Sequence, residues 1–185
     1  TVSQMDAVIS YPRPNAETST HSRYKWVHPD MEYSICVAVQ GGSWPFKYEL
    51  VNEPVGMSIG ETYGTTQAPN SDYGVIRWPA ESIPSSGSWT ITINVYQQDN
   101  LGELAGSVDI TITVDESKFV FLEKGSGAGT GTYDNPVDDI SDILTGHAGK
   151  IAVFKNSGIN YSMPSISDST NYEDEVELDP NITPM

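Results

Sequence analysis

The chain has 185 residues, with 25 Asp plus Glu against nine Lys plus Arg and a formal net charge of −16. A field of this sign repels nucleic-acid phosphate and anionic membrane surfaces, so we expect neither nucleic acid nor membrane as a partner. The chain has one cysteine, which excludes an intrachain disulfide framework. No apolar run is long enough to cross a bilayer, so no membrane insertion is predicted.

Residues 1–29 are predicted to form an extended N-terminal segment. The stretch Tyr11-Pro12-Arg13-Pro14 disfavours a helix and suits an edge strand, because proline cannot donate to a hydrogen-bond ladder. A polar run over 15–20 then predicts a loop.

Cysteine and histidine are too scattered to indicate zinc chemistry. Cys36 lies in the largely apolar run 33–39, where we expect it to be a small buried hydrophobe. The histidines are His21, His28 and His147, and their spacing fits no metal-ligand pattern.

Between residues 30 and 115 the sequence predicts short strands separated by turns. Residues 90–96 and 108–114 alternate polar and apolar side chains, which is the pattern of a sheet with one buried and one wet face. The turn cluster at 98–102 predicts that these two strands pair as a hairpin. The predicted strands, 33–39, 46–51, 74–78, 89–97 and 105–114, form an antiparallel meander or Greek key.

Residues 41–57 join a Gly-Gly turn, an alternating strand and a Pro-Val-Gly turn. With the segments Tyr-Gly-Val-Ile-Arg-Trp-Pro (73–79) and Ser-Gly-Ser-Trp-Thr (86–90), this run resembles the immunoglobulin-like modules of the cadherin-like superfamily. The departures are Trp44, where proline is usual in the family, and an enlarged loop at 60–73. The resemblance implies an immunoglobulin-like antiparallel β-sandwich over residues 30–115, with a binding or spacing role and no indication of the ligand.

Residues 116–185 are predicted to form a small α+β unit. An apolar strand at 119–122 leads into a Gly-rich loop at 125–131, which lacks the Gly-Lys-Ser/Thr ending of a phosphate-binding loop. A second strand is predicted at 151–155.

A short helix is predicted between these two strands. Asn135 is placed as its N-cap and Pro136 as its first residue. Asp138 and Asp139 then suit the positive end of the helix dipole, which accounts for them without an acid–base role.

Residues 119–161 resemble the entrance of a right-handed parallel β-helix of the pectin-lyase-like kind. In that family a strand, a Gly-rich loop and a short amphipathic helix cap the solenoid before its first coil. A solenoid needs several stacked coils to bury its faces, and this unit supplies at most one. We therefore expect residues 116–185 to be truncated or completed by a partner. The catalytic residues of β-helix enzymes lie on middle coils, so none is carried over to this chain.

Oxygen-bearing side chains in two turns are candidate calcium ligands, because calcium prefers hard oxygen donors. They are Asp99 and Asn100 in the hairpin turn, and Asp115 and Glu116 at the domain junction. The chain has no Asp-x-Asp-x-Asp loop, and a solvated acidic surface accounts for the same residues. Calcium is the one cofactor that the sequence brings into consideration.

Aromatic side chains offer a surface for carbohydrate, because Trp and Tyr rings stack on the apolar faces of sugars. The candidates are Trp26, Trp44 and Tyr63, whose alternative fate is packing under a loop or in a subunit interface. Trp78 and Trp89 lie on predicted strands and are expected in the core.

These features predict an all-β chain, an immunoglobulin-like sandwich followed by a small α+β unit. The predicted function is that of a non-catalytic extracellular or virion-surface module, such as a fibre, spike or capsid decoration. Its expected partners are other proteins or symmetry mates, and surface polysaccharide is an open alternative. Two other functions stay open: the N-terminal accessory domain of a secreted β-helix polysaccharide lyase or hydrolase, and a calcium-dependent adhesion module.

Overall fold

The computed structural model describes residues 6–12, 23–42, 44–60, 73–97, 100–147 and 149–158, and most regular structure in these ranges is β-strand. The strands are β1 (Val8–Tyr11), β2 (Trp26–Val27), β3 (Tyr33–Cys36), β4 (Ala38–Gln40), β5 (Phe46–Val51), β6 (Ser58–Ile59), β7 (Val75–Trp78), β8 (Gly87–Gln97), β9 (Asn100–Val114), β10 (Phe119–Leu122) and β11 (Ile151–Phe154). The α-helix in this part is α1 (Ile140–Gly146). The predicted all-β class is confirmed at this level.

The chain divides into two units, Thr1–Asp115 and Glu116–Met185. In the first unit, strands β2-β9-β8-β5 form a four-stranded sheet and β3-β7-β6 form a three-stranded sheet. β1 pairs with β4. Neighbouring strands run antiparallel, except that β2 lies parallel to β9.

β8 and β9 are the two central strands of the four-stranded sheet, and buried and outward-facing side chains alternate along β8. Ile91, Ile93 and Val95 on β8 are fully buried, while the residues between them face outward. Ile91 lies opposite Ile110, and Ile93 opposite Val108, so these buried side chains of the two strands meet in the antiparallel register. The predicted hairpin is confirmed.

The core of the first unit takes side chains from both larger sheets. Trp78 on β7 is fully buried and packs edge-to-face on Trp89 of β8, with 5.2 Å between ring centroids. Its indole Nε1 donates a hydrogen bond to the Val55 carbonyl at 3.1 Å, which satisfies the polar atom of a buried ring. The predicted core position is confirmed for Trp78, and Trp89 is partly buried against the core.

The prediction that Cys36 is buried is wrong, because its side chain is exposed. Tyr33, Ile35 and Val37 point into the core, and a period of two then turns Cys36 outward. The predicted strand 33–39 is also two strands. Val37 lies between β3 and β4, and its N–H donates to the Gly74 carbonyl at 2.6 Å.

In the second unit, β10 and β11 pair in parallel, with Phe119 opposite Ile151 and Leu122 opposite Phe154. All four residues of β10 are buried. Val137 forms a further parallel bridge with Leu122, so backbone partners flank β10 on both sides. In the described part of this unit, Val120, Leu122, Val137, Ile140 and Ile143 form one cluster of buried side chains.

The predicted start of the helix at Asn135 and Pro136 is wrong, because α1 begins at Ile140. The backbone of Val137 is committed to β10: its N–H donates to the Phe121 carbonyl at 2.9 Å, and its carbonyl accepts from Glu123 N–H at 2.9 Å. A residue bonded in this way cannot also lie in the first turn of a helix. Asp139 serves as the N-cap instead.

Shortening Ile91 tests the core of the first unit. Ile91→Ala leaves a cavity between two sheets, and we expect it to lower the free energy of unfolding by about 2–5 kcal/mol. Urea denaturation measures this change. The neighbouring outward residue gives the control: Thr90→Ala removes one exposed hydroxyl contact with Thr111 and should cost less than about 1 kcal/mol. Equal losses for the two variants would contradict the assignment of the buried face.

Gly129 tests the loop of the second unit. A Cβ at this position would overlap the Pro136 carbonyl oxygen, which belongs to the backbone and cannot swing away. We expect Gly129→Ala to destabilise this unit by about 1–3 kcal/mol and to speed amide hydrogen exchange in β10 and β11. Gly146→Ala is the matched control, because a Cβ there meets nothing within 4 Å. Unchanged exchange in the Gly129 variant would refute the loop packing.

Candidate functional site

The outer face of the four-stranded sheet carries rows of polar side chains, because alternation that buries one side of β8 and β9 exposes the other. The hydroxyls of Thr90 and Thr111 lie 3.0 Å apart, and Thr92 Oγ1 donates to Asp109 Oδ1 at 2.6 Å. Ser88 Oγ lies 3.1 Å from the hydroxyl of its cross-strand neighbour on β9. At this end of the face, polar groups therefore pair with one another across β8 and β9.

Glu49 organises the other end of the same face. Its Oε2 accepts two hydrogen bonds, one from Asn94 Nδ2 at 3.0 Å and one from the Tyr96 hydroxyl at 2.8 Å. Ser107 Oγ donates to Asn94 Oδ1 at 2.9 Å. Side chains of β5, β8 and β9 are thus linked in one network, and the amide of Asn94 is fixed in orientation because it both donates and accepts.

The Tyr96 phenol remains protonated in this network. The hydrogen bond to Glu49, assisted by partial burial and by the charge of the carboxylate, raises the pKa of Tyr96 above its ordinary value of 10.0. The hydroxyl is therefore a donor to Glu49 throughout the physiological range.

Two exposed apolar side chains lie at the same end of the sheet. Leu104 on β9 is opposite Tyr96 in the register and is 52 % exposed. Trp44 precedes β5 and is 83 % exposed. Phe46, the first residue of β5, pairs with Gln97 at the end of β8, which places the Trp44 turn at this edge.

The three predicted carbohydrate-contact residues do not form one platform. Trp26 is half-buried on β2 and pairs with Thr113, which lies opposite Ser88 near the start of β8. Trp44 lies beyond the far end of β8, which is 11 residues long, so about 30 Å separates the two ends at the rise of a β-strand. Tyr63 lies outside the described residues.

The two predicted calcium sites lie at opposite ends of β9. Asp99 lies outside the described residues, and Asn100 begins β9, whereas Asp115 follows the last residue of that strand. Glu116 belongs to the second unit. Across the ranges that the structure describes, no three His, Cys, Asp or Glu side chains gather as a metal site would require.

Asp138 and Asp139, the two residues before α1, accept hydrogen bonds from backbone amides. Asp139 Oδ1 accepts from both the amide and the hydroxyl of Ser141 at 3.0 Å, and these two hydrogen bonds lower the pKa of its carboxyl. Asp138 accepts a hydrogen bond from the Gly125 amide in the Gly-rich loop. Both carboxylates therefore have structural partners, as their position near the helix start predicted.

Sequence reasoning missed Glu49, Asn94, Tyr96 and Ser107 as a group. Asn94 and Tyr96 were visible as outward positions of an alternating strand, but Glu49 is 45 positions from Asn94 along the chain. Only the register of β5 against β8 brings them together.

Comparisons with family models, curated proteins and solved structures gave no match to this chain. Among the described residues, no helix has both the length and the apolar character needed to cross a membrane.

Removing the charge of Glu49 tests the network. In Glu49→Gln the anion that opposes ionisation of Tyr96 is gone, so we expect the pKa of Tyr96 to fall toward 10.0. NMR titration of the tyrosine ring signals through the alkaline range measures it. Asp109→Asn removes a carboxylate from the same face, one bonded to Thr92, and should leave Tyr96 unchanged. An equal shift in both variants would show that general charge, not this contact, is responsible.

Proposed function

We propose that this chain is a non-catalytic structural and attachment module of an extracellular or virion-surface assembly. In this proposal an immunoglobulin-like sandwich is followed by the entrance of a parallel β-helix, and the second unit joins a larger body. The observation that carries the proposal is the parallel pairing of β10 with β11 beside the cluster of buried side chains around Val120 and Leu122.

Strand order supports the immunoglobulin-like part. If β3 and β4 are taken as one strand interrupted at Val37, one layer has the order β1, β3/β4, β7, β6. The other layer has β5, β8 and β9, with β2 added in parallel beside β9. This order corresponds to the ABED and CFG sheets of an immunoglobulin domain.

The second unit supports the assembly part. The part of this unit that the structure describes has two short parallel strands and one helix, and a parallel sheet normally needs cover on both faces. In a solenoid, stacked neighbours supply that cover. Further coils or neighbouring copies would do so here.

The same parallel pairing also fits the accessory domain of a secreted β-helix polysaccharide lyase or hydrolase. Asp138 and Asp139 each accept a hydrogen bond from a backbone amide. This structural role favours the non-catalytic proposal. Among the described residues, no group of three His, Cys, Asp or Glu side chains supports the calcium-dependent adhesion module.

Light scattering and native mass spectrometry of the 20.1 kDa chain test the proposal. We expect a symmetric oligomer, because the second unit needs a neighbour to cover its core. The oligomer should persist in chelator, which a calcium-dependent adhesion module would not tolerate. A monomer whose second unit resists protease would overturn the proposal, as would release of new reducing ends from a polysaccharide.

A further inference from the structure

The outer face of the four-stranded sheet has two chemically different ends. At the Ser88 end, hydroxyl groups pair with one another across β8 and β9. At the Glu49 end, Oε2 accepts both hydrogen bonds, and within the described residues Glu49 Oε1 has no hydrogen-bond partner. A carboxylate oxygen in this state is an acceptor held in a fixed position.

This acceptor lies beside an apolar strip. Glu49, Asn94 and Ser107 form one row across β5, β8 and β9, and Lys47, Tyr96 and Leu104 form the next row. Leu104 is about half exposed, and Trp44, which is also exposed, lies at the same end of the sheet in the turn before β5. We call Glu49, Asn94, Tyr96, Leu104 and Ser107 the Glu49 corner.

We propose that the Glu49 corner is a binding site for an uncharged glycan. The apolar face of one sugar ring would lie on Tyr96 and Leu104, while its hydroxyls donate to Glu49 Oε1 and exchange hydrogen bonds with Asn94 and Ser107. Trp44 would contact a neighbouring sugar. This inference rests on the proposed attachment function and names the ligand class and the site.

Charge decides between glycan classes. The Glu49 carboxylate offers only acceptor atoms to a ligand, and the chain as a whole carries −16. Lys47 is the one cation in the two rows of this corner. Uronic-acid and sulfated polymers would still bring like charge to the Glu49 carboxylate and to the net charge of the chain, at a cost in free energy. Sugar hydroxyls supply the donors that a fixed carboxylate requires, and binding sites combine such a polar group with an apolar wall.

The test is affinity electrophoresis of the full chain in native gels that contain dextran, mannan, galactomannan or arabinoxylan. Dextran sulfate is the matched anionic probe, because it shares the dextran backbone. We expect retardation by at least one uncharged polymer and none by dextran sulfate. Tyr96→Ala and Glu49→Ala should each weaken that binding roughly tenfold, the loss of one stacking or charge-assisted contact.

Milder variants keep the test decisive if an alanine variant fails to fold. Tyr96→Phe retains the ring and should bind more tightly than Tyr96→Ala, and Glu49→Gln should bind more weakly than the unmodified chain. Thr111→Ala, at the Ser88 end of the same face, is the control and should bind normally. Melting by circular dichroism confirms that each variant is folded.

Two results would overturn the glycan site: no retardation by any uncharged polymer, or retardation that is unchanged in folded Glu49 and Tyr96 variants. Retardation by dextran sulfate alone would overturn it as well. None of these outcomes bears on the oligomeric state, so the glycan site and the structural module fail separately.

Discussion

The register between β8 and β9 is the constraint on which the first unit depends. β8 lies between β9 and β5, and its alternation commits Ile91, Ile93 and Val95 to the core. A slip by one residue would turn all three into solvent and bring threonine and asparagine inward, so the register is strongly specified. The same register places Ser107 opposite Asn94 on the outer face, and the register of β5 against β8 adds Glu49 beside Asn94.

The local sequence pattern was sufficient to predict the structure where polar and apolar residues alternate along a whole strand. The alternation at 90–96 and 108–114 predicted the β8–β9 hairpin, and the strand positions of Trp78 and Trp89 predicted their place in the core. The pattern was insufficient where the limits of a strand or helix depend on a hydrogen bond to a backbone group outside the local sequence. The Val37 amide bonds to Gly74, and Val137 bonds on both sides to residues around β10. Neither partner is visible in the local sequence, so a strand break and a helix start were misplaced.

The candidate site likewise contains one residue that the sequence pointed to and a group of residues that it did not. Trp44 could be singled out from the sequence because a tryptophan between glycine and proline residues at a turn has little to pack against. The network of Glu49, Asn94 and Ser107 could not, because it joins three strands through pairings that composition does not encode. Trp26 looked equivalent to Trp44 in the sequence, yet the parallel pairing of β2 with β9 places it at the opposite end of the sheet.

That parallel pairing also determines how the first unit would respond to tension. β2 is entered from the N-terminal side and β9 leaves toward the C-terminal side, with Val27 opposite Val114 and the Asp115 amide bonded to the Val27 carbonyl at 3.0 Å. A pull on Trp26 at the start of β2 and on Val114 at the end of β9 draws the two strands in opposite directions along their length. Their hydrogen bonds are then loaded together in shear, whereas the hydrogen bonds of an antiparallel pair pulled in this way would break one at a time.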